Sequence, residues 1–86
     1  MLKITAARND GFEWVLKLEG KLLADWVSEL QEACRAARAE SGQLQLDLSA
    51  LSFVDAAGMI ALRELIRQGV SITTTTPFVG ELLKET

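Results

Sequence analysis

The chain opens on two stretches in which apolar and polar side chains alternate, the period-2 pattern of strands that bury one face. Residues 2–6 (LKITA) form the first stretch, and residues 12–19 (FEWVLKLE) form the second. Residues 8–11 (RNDG), between them, tolerate a positive φ angle and therefore suit a tight turn. The pattern predicts an antiparallel hairpin at one edge of a sheet.

Helical periodicity replaces the alternation after Gly20. Apolar residues then recur at intervals of three and four and form one stripe, which consists of Leu23, Trp26, Val27, Leu30, Ala33, Cys34 and Ala37. The stripe predicts a helix over residues 24–40 that ends at Ser41-Gly42. On the opposite, charged face we expect Glu32 to pair with Arg35.

The third strand is predicted over residues 44–48, where leucine occupies alternate positions. Residues 49–54 are expected to carry the chain out of the sheet towards Asp55. The Asp55 carboxylate is placed to accept from free N–H groups of the next helix, and its charge suits the positive end of the helix dipole. That helix is predicted to begin at Ala56 and to cover the sheet with an apolar side, comprising Met59, Ile60, Leu62, Leu65 and Ile66.

The last elements are a strand and a short helix. Gly69 is expected to stop the preceding helix in a left-handed conformation, and the β-branched residues 70–73 predict a fourth strand. Thr76-Pro77 then opens a helix that continues through Leu82 and Leu83. Strands joined by helical crossovers become parallel neighbours. The predicted fold class is α/β, with the order β-β-α-β-α-β-α, a four-stranded mixed sheet and helices chiefly on one face.

Length and composition indicate one globular domain over residues 1–86, with 49% hydrophobic and 24% charged residues. The N-terminus lacks the apolar core of a secretion signal, and no apolar run approaches membrane-spanning length. We therefore expect a cytoplasmic protein without direct membrane insertion. The net charge is −3 and no basic cluster occurs, so nucleic acid is not expected as a partner.

The residue types for catalysis and metal binding are scarce. The chain has no histidine and one cysteine, Cys34, which we interpret as a core residue. Asp47 belongs to a strand and Asp55 to a helix cap, so they are not expected to act as an acid/base pair. No phosphate-binding glycine motif is present. We expect no catalytic residues, no metal and no cofactor, and hence not an enzyme.

Three segments carry a resemblance to a known family. They are residues 18–22 (LEGKL), residues 44–55 (LQLDLSALSFVD) and the glycine that closes residues 55–58 (DAAG). Together with the order of elements, they resemble the STAS domain, the fold shared by bacterial anti-sigma factor antagonists and the cytoplasmic tails of sulfate transporters. The resemblance covers nearly the whole chain.

The resemblance implies a non-catalytic protein-interaction module that acts in partner switching. An antagonist of this type binds a kinase-like anti-sigma factor through the loop and helix after the third strand. The kinase breaks the complex by phosphorylating a Ser or Thr directly after the aspartate, since phosphate adds about −1.5 to −2 charges to the contact. The corresponding residue here is Ala56, so the module is expected to be insensitive to phosphorylation at that site. The competing interpretation is that the surface has lost this role.

The predicted partner-binding residues surround the first turn of that helix: Ser52, Asp55, Ala56, Ala57, Gly58, Met59 and Arg63. We expect Gly58 to leave the backbone uncovered, so that a partner can approach closely. Ser49 and Ser52 are alternative phosphate acceptors, but short hydroxyls in such connections usually bind nearby backbone groups. Two other functions stay open. One is a small cytosolic STAS subunit of an ABC-type lipid transport complex, bound to an ABC-type ATPase, and the other is a nucleotide or small-molecule sensor.

Overall fold

The strands form one four-stranded mixed sheet in which each strand lies beside the next one along the chain. The computed structural model describes residues 2–8 and 13–84, without the side chains of residues 41, 82 and 84. Strand β1 (Leu2–Arg8) pairs antiparallel with β2 (Trp14–Leu22). Strand β3 (Leu44–Val54) pairs parallel with β2 on one side and with β4 (Ser71–Thr75) on the other. The predicted α/β fold with a mixed sheet is confirmed.

Helices connect the parallel strands. A 3-10 turn (Ala24–Trp26) leads into α1 (Val27–Ser41), α2 (Ala56–Arg67) joins β3 to β4, and α3 (Pro77–Lys84) follows β4. The order β-β-α-β-α-β-α is the predicted one. Among the described residues, no helix is both long and apolar enough to span a membrane.

One face of the sheet is buried and the other is polar. The buried residues of the two central strands alternate along β2 and through the first half of β3, and two more follow at intervals of three; they are Leu16, Leu18, Leu22, Leu44, Leu46, Leu48, Leu51 and Val54. The helices contribute the residues packed with them, namely Leu30, Cys34, Met59, Leu62, Leu65 and Val79. Lys17, Asp47 and Thr74 alternate with these positions and lie on the opposite face. The helices therefore cover a single face of the sheet.

Strand β3 is longer than predicted. Residues 49–54 stay in the sheet and pair with β2, for example Ala50 with Glu19 and Val54 with Leu22. The prediction that they leave the sheet is wrong. The register between β2 and β3 shifts near Gly20, and two successive residues, 52 and 53, are exposed. This irregularity breaks the alternation on which the sequence prediction depended.

The buried side of α2 also differs from the predicted one. Ile60 is 67% exposed and Ile66 is 40% exposed, so the prediction that both cover the sheet is wrong. Gly58 and Ala61 take their place in the buried face, beside the correctly predicted Met59, Leu62 and Leu65. Small residues there let the helix lie close to the strands.

The predicted helix ends are confirmed. Gly69 has a φ angle of +102°, and Thr76 accepts a 3.3 Å hydrogen bond from the Val79 N–H at the start of α3. The predicted pair of Glu32 and Arg35 forms at 2.7 Å on the exposed face of α1. Of the turn predicted over residues 8–11, the structure describes only Arg8, the last residue of β1. The rest of that turn, the place of Phe12 in the second strand and the packing of Leu82 fall outside what the structure describes.

Cys34 is buried in the core, as predicted. Burial raises the pKa of its thiol from 9.0 to about 11, partly offset by the positive charge of Arg38. The thiolate is the reactive form of cysteine. A thiol with this pKa, held in the core, is therefore unreactive near neutral pH.

Candidate functional site

Asp55 organises the junction between β3 and α2. Its Oδ1 atom accepts a 2.8 Å hydrogen bond from the N–H of Gly58, which confirms the predicted helix cap. Its Oδ2 atom accepts a 2.9 Å hydrogen bond from the N–H of Ala24, the first residue of the 3-10 turn. The N–H of Asp55 donates to the Leu22 carbonyl oxygen at 3.1 Å. One residue therefore fixes the start of α2 against the end of β2.

Gly58 is buried against the neighbouring strands. A Cβ atom on Gly58 would lie 2.7 Å from the Leu22 carbonyl oxygen and 2.8 Å from Cγ1 of Val54. Both distances are too short for any side chain. The glycine is required because the helix approaches its own sheet closely, and the prediction that it opens the backbone to a partner is wrong.

The other predicted site residues divide into exposed and inner positions. Ala56 is exposed, whereas Ala57 and Arg63 are half-buried. Met59 is only 7% exposed and packs in the core, so it offers little surface for the contact predicted for it. A face of α2 that includes Ala56 and Ile60, four residues apart, points outward.

The two candidate serines are bonded to the chain itself. The Ser52 hydroxyl donates to the Gly20 carbonyl oxygen at 2.9 Å, as expected for a short hydroxyl beside free backbone groups. The Ser49 N–H donates to Asp47 Oδ1 at 2.9 Å, and the Thr74 hydroxyl donates to the same atom at 3.2 Å. Hydrogen bonds from Ser49, led by its side chain, hold the pKa of Asp47 below its ordinary value of 3.8. Asp47 thus accepts hydrogen bonds on the open face of the sheet and does not form a site with Asp55.

An exposed aromatic pair lies beside the junction and was missed by the sequence prediction. Phe53, two residues before Asp55, stacks on Phe78 of α3 with ring centroids 6.4 Å apart and planes 16° apart. Phe53 is 42% exposed and Phe78 is 50% exposed. Exposed apolar side chains that cluster often mark an interaction site. In the sequence, the two phenylalanines lie near the ends of predicted elements. Their positions do not indicate that the two rings are in contact.

We call the exposed part of this region the first-turn surface. It consists of Ser52, Phe53, Ala56, Ile60 and Phe78, with Ala57 and Arg63 at its margin. The first turn of α2 contains no acidic residue, and the Asp55 carboxylate is occupied by two N–H groups. The first turn thus presents small, uncharged side chains on a backbone fixed by hydrogen bonds, and Phe53 of the stacked aromatic pair precedes Ala56 by three residues in the chain. This arrangement suits contact with another protein.

A groove of about 700 Å³ lies between α1 and α2, and none of its lining residues belongs to the first-turn surface. Two arginines line it, and both are bonded to the chain. Arg38 donates to the side-chain oxygen of Gln68 at 2.9 Å and to its backbone oxygen at 3.0 Å, while Arg35 donates to Glu32. The groove therefore gives no specific support to a nucleotide site.

Solved structures with the same fold include two anti-sigma factor antagonists. The unphosphorylated form of SpoIIAA matches over 98% of this chain and 84% of its own, with a TM-score of 0.73 and 14% sequence identity. A STAS-domain antagonist from Rhodobacter sphaeroides matches over 84% of this chain and 83% of its own, with a TM-score of 0.61 and 19% identity.

A third structure is an uncharacterised protein of the DUF3478 family from Shewanella loihica, which has a SpoIIAA-like fold. It matches over 90% of this chain and 69% of its own, with a TM-score of 0.63 and 17% identity. At these identities the three structures establish the shared fold and nothing finer. No curated protein matches the sequence closely enough to be counted as a relative.

The sequence itself matches a family model over residues 5–85. That model describes the STAS_2 family, "Mlab, STAS domain". The matched range includes β3, Asp55 and the whole of α2. The chain therefore belongs to the STAS_2 family of STAS domains.

Proposed function

We propose that this chain is a non-catalytic docking module whose protein partner binds the first-turn surface. The observation that carries the proposal is the position of Ala56. It is exposed at the first residue of α2, directly after the cap that Asp55 forms with Gly58. A turn that is already rigid loses little conformational entropy when a partner covers it, and this favours binding.

The aromatic pair extends the proposed contact. Phe53 and Phe78 present large apolar surfaces to solvent, and Ile60 adds a third apolar side chain on the outward face of α2. Aromatic residues in such positions commonly supply most of the binding energy of an interface. The complementary partner surface is expected to be an apolar pocket with room for two stacked rings.

Binding at this surface is proposed to be insensitive to phosphorylation at the position after Asp55, because alanine has no hydroxyl. Ser52 does have one, but it donates to the Gly20 carbonyl oxygen. Binding is then regulated by the abundance of this protein or by competition between partners, without a covalent modification at this position.

The leading candidate for the partner is a kinase-like anti-sigma factor, since the antagonists named above share the fold. A second candidate is an ABC-type ATPase, with this chain as the cytosolic STAS subunit of a lipid transport complex. The exposed apolar side chains beside Ala56 favour that second candidate. Permanent interfaces are more hydrophobic than transient ones, and a permanent subunit needs no release mechanism.

Affinity capture from native cell extract tests the proposal. The wild-type chain is compared with Ala56→Glu and with Ala39→Glu, a matched control that places the same charge on an exposed alanine of α1. The wild type and the control are expected to retain one principal protein, identified by mass, that Ala56→Glu loses. Equal retention by all three would show that the first-turn surface is not the docking site. The identity of the retained protein decides between the two partners.

A further inference from the structure

Strand β1 is a long and regular edge of the sheet. Its seven residues pair with β2 in unbroken register, and all of its side chains from Lys3 onward are exposed except that of Ile4, which is half-buried. The other edge, β4, has five residues, and its register with β3 shifts between Leu46 and Asp47. An edge strand presents unpaired N–H and C=O groups to any further strand. Of the two edges, β1 offers more of them in a straight row.

We propose that β1 pairs with β1 of a second copy of this chain, antiparallel, so that one sheet continues through both copies. A two-fold axis perpendicular to the sheet keeps the helices of both copies on the same face. Directly opposed residues must then belong to the same face of the strand. The pairing centred on Thr5 meets this condition and engages all seven residues of β1.

The side chains of β1 suit this pairing. Ile4 comes to lie opposite the second copy's Ala6, and Lys3 opposite its Ala7, so in these two pairs a large side chain faces a small one. Thr5 faces Thr5 across the axis, and threonine pairs are favourable between antiparallel strands. Like charges do not oppose each other at any position of this register.

Charges beside β1 also match across the axis. A groove of about 360 Å³ separates β1 from α1, and Glu29 and Glu40 lie among its lining residues. Arg8 pairs with Glu40 at 3.3 Å, which places the C-terminal end of α1 beside the end of β1. Glu29, eleven residues earlier in α1, therefore lies towards the Leu2 end, where it lines the groove together with Ile4.

In the proposed pairing the second copy's Arg8 lies opposite Leu2. Within its own chain Arg8 pairs with Glu40 at 3.3 Å and lies 4.8 Å from the centroid of the Trp14 ring. The ion pair is exposed, and exposed pairs contribute little, so Arg8 of the second copy can exchange Glu40 for Glu29 at this end of the groove. Glu29 forms no ion pair with any residue that the structure describes. The complementary charges favour a second copy in this orientation over an unrelated strand. Strand β2 separates β1 from β3 and the first-turn surface, so both copies keep that surface free.

Sedimentation equilibrium tests the proposal with four forms of the full chain. The wild type is expected to dimerise reversibly. Thr5→Lys, which opposes two lysines at the axis, is expected to be monomeric and to retain the partner captured by the wild type. At a protein concentration low enough for the wild type to be monomeric too, both should have the same melting temperature. Glu29→Lys is expected to weaken dimerisation at least fivefold, while Glu32→Lys, on the same helix but outside the groove, changes it less than twofold. A wild type that stays monomeric up to about 1 mM would overturn the proposal.

Disulfide trapping tests the register. In Thr5→Cys the two introduced thiols directly oppose each other across the axis, so they are close enough to form a disulfide. In Lys3→Cys the two thiols lie on the same exposed face but far apart along the paired strands. Under mild oxidation Thr5→Cys is expected to form the covalent dimer at least about tenfold faster than Lys3→Cys, because its effective concentration is higher. The native Cys34 is buried and contributes no background. Equal rates for the two variants would rule out the pairing centred on Thr5.

Discussion

Asp55 and Ala24 are 31 residues apart in the chain and are joined by a 2.9 Å hydrogen bond between the Asp55 carboxylate and the Ala24 N–H. The second carboxylate oxygen binds the Gly58 N–H at 2.8 Å. A single side chain therefore holds the beginnings of two helical segments together. Since Ala56 lies between Asp55 and Gly58, the orientation of the proposed docking surface depends on this carboxylate.

Replacement of Asp55 tests that dependence. Asp55→Ala removes both acceptors and is expected to lower the free energy of unfolding by about 1–2 kcal/mol or slightly more. Asp55→Asn keeps an oxygen that can cap Gly58 but presents an N–H donor to Ala24, so a smaller loss is expected. Urea denaturation of the two variants measures the difference. Equal losses would mean that the cap on Gly58, which only Asp55→Asn retains, contributes nothing.

Gly58 is expected to resist replacement even by alanine. The new Cβ atom would collide with the Leu22 carbonyl oxygen, which belongs to the backbone and cannot rotate away. Gly58→Ala should therefore lower the free energy of unfolding by about 1–3 kcal/mol, although alanine has the better helix propensity.

Gly80→Ala is the matched control. Glycine 80 also lies in a helix, but its added Cβ would meet only the Thr75 methyl group, at 3.1 Å. The control is expected to range from unchanged to about 1 kcal/mol more stable. Thermal unfolding of both variants compares them, and a Gly58→Ala variant as stable as the wild type would contradict the close packing of α2 on β2.

The sequence was sufficient for the order of elements and for the helix ends. Asp55, Gly69 and Thr76 were predicted correctly because each acts on backbone groups a few residues away or through its own φ angle. Such signals are local and depend little on the rest of the fold. The same holds for the alternating leucines of β3.

The sequence was insufficient where distant segments meet. Residues 49–54 were mistaken for a connection because the irregular register with β2 hides their alternation. The sequence predicts that Gly58 leaves room for a partner, because Leu22, which occupies that space, is remote in the chain. Phe53 and Phe78 were overlooked for the same reason. A side chain's neighbours across the sheet are set by topology and register, which no local pattern encodes.

Cys34 predicts a pH dependence of stability. The pKa of its thiol is raised from 9.0 to about 11 by burial, so the folded chain holds this proton more tightly than the unfolded chain does. Its contribution to stability is complete below pH 9 and is lost as the pH rises through about 11. Between pH 8 and 11 the free energy of unfolding should fall more steeply with pH for the wild type than for Cys34→Ala. Parallel curves would contradict the raised pKa.

Replacing one residue of the aromatic pair should affect partner binding much more than the stability of the fold. Phe53→Ala is expected to weaken the captured partner's binding at least about tenfold, since exposed aromatic anchors dominate many interfaces. It should cost at most about 1.5 kcal/mol of stability through the lost stacking on Phe78. Calorimetric titration and urea denaturation measure the two effects. Unchanged affinity would remove Phe53 and Phe78 from the docking surface.

The most direct test of the docking account is the dissociation constant of the captured partner for the wild type, Ala56→Glu and Ala39→Glu, measured by calorimetric titration. A glutamate at the first residue of α2 is favourable for the helix itself, because it lies at the positive end of the dipole. Folding should therefore be intact, and any loss of binding reports the partner contact. The account predicts that Ala56→Glu weakens binding at least about tenfold while Ala39→Glu leaves it unchanged. Equal dissociation constants for all three proteins would contradict it.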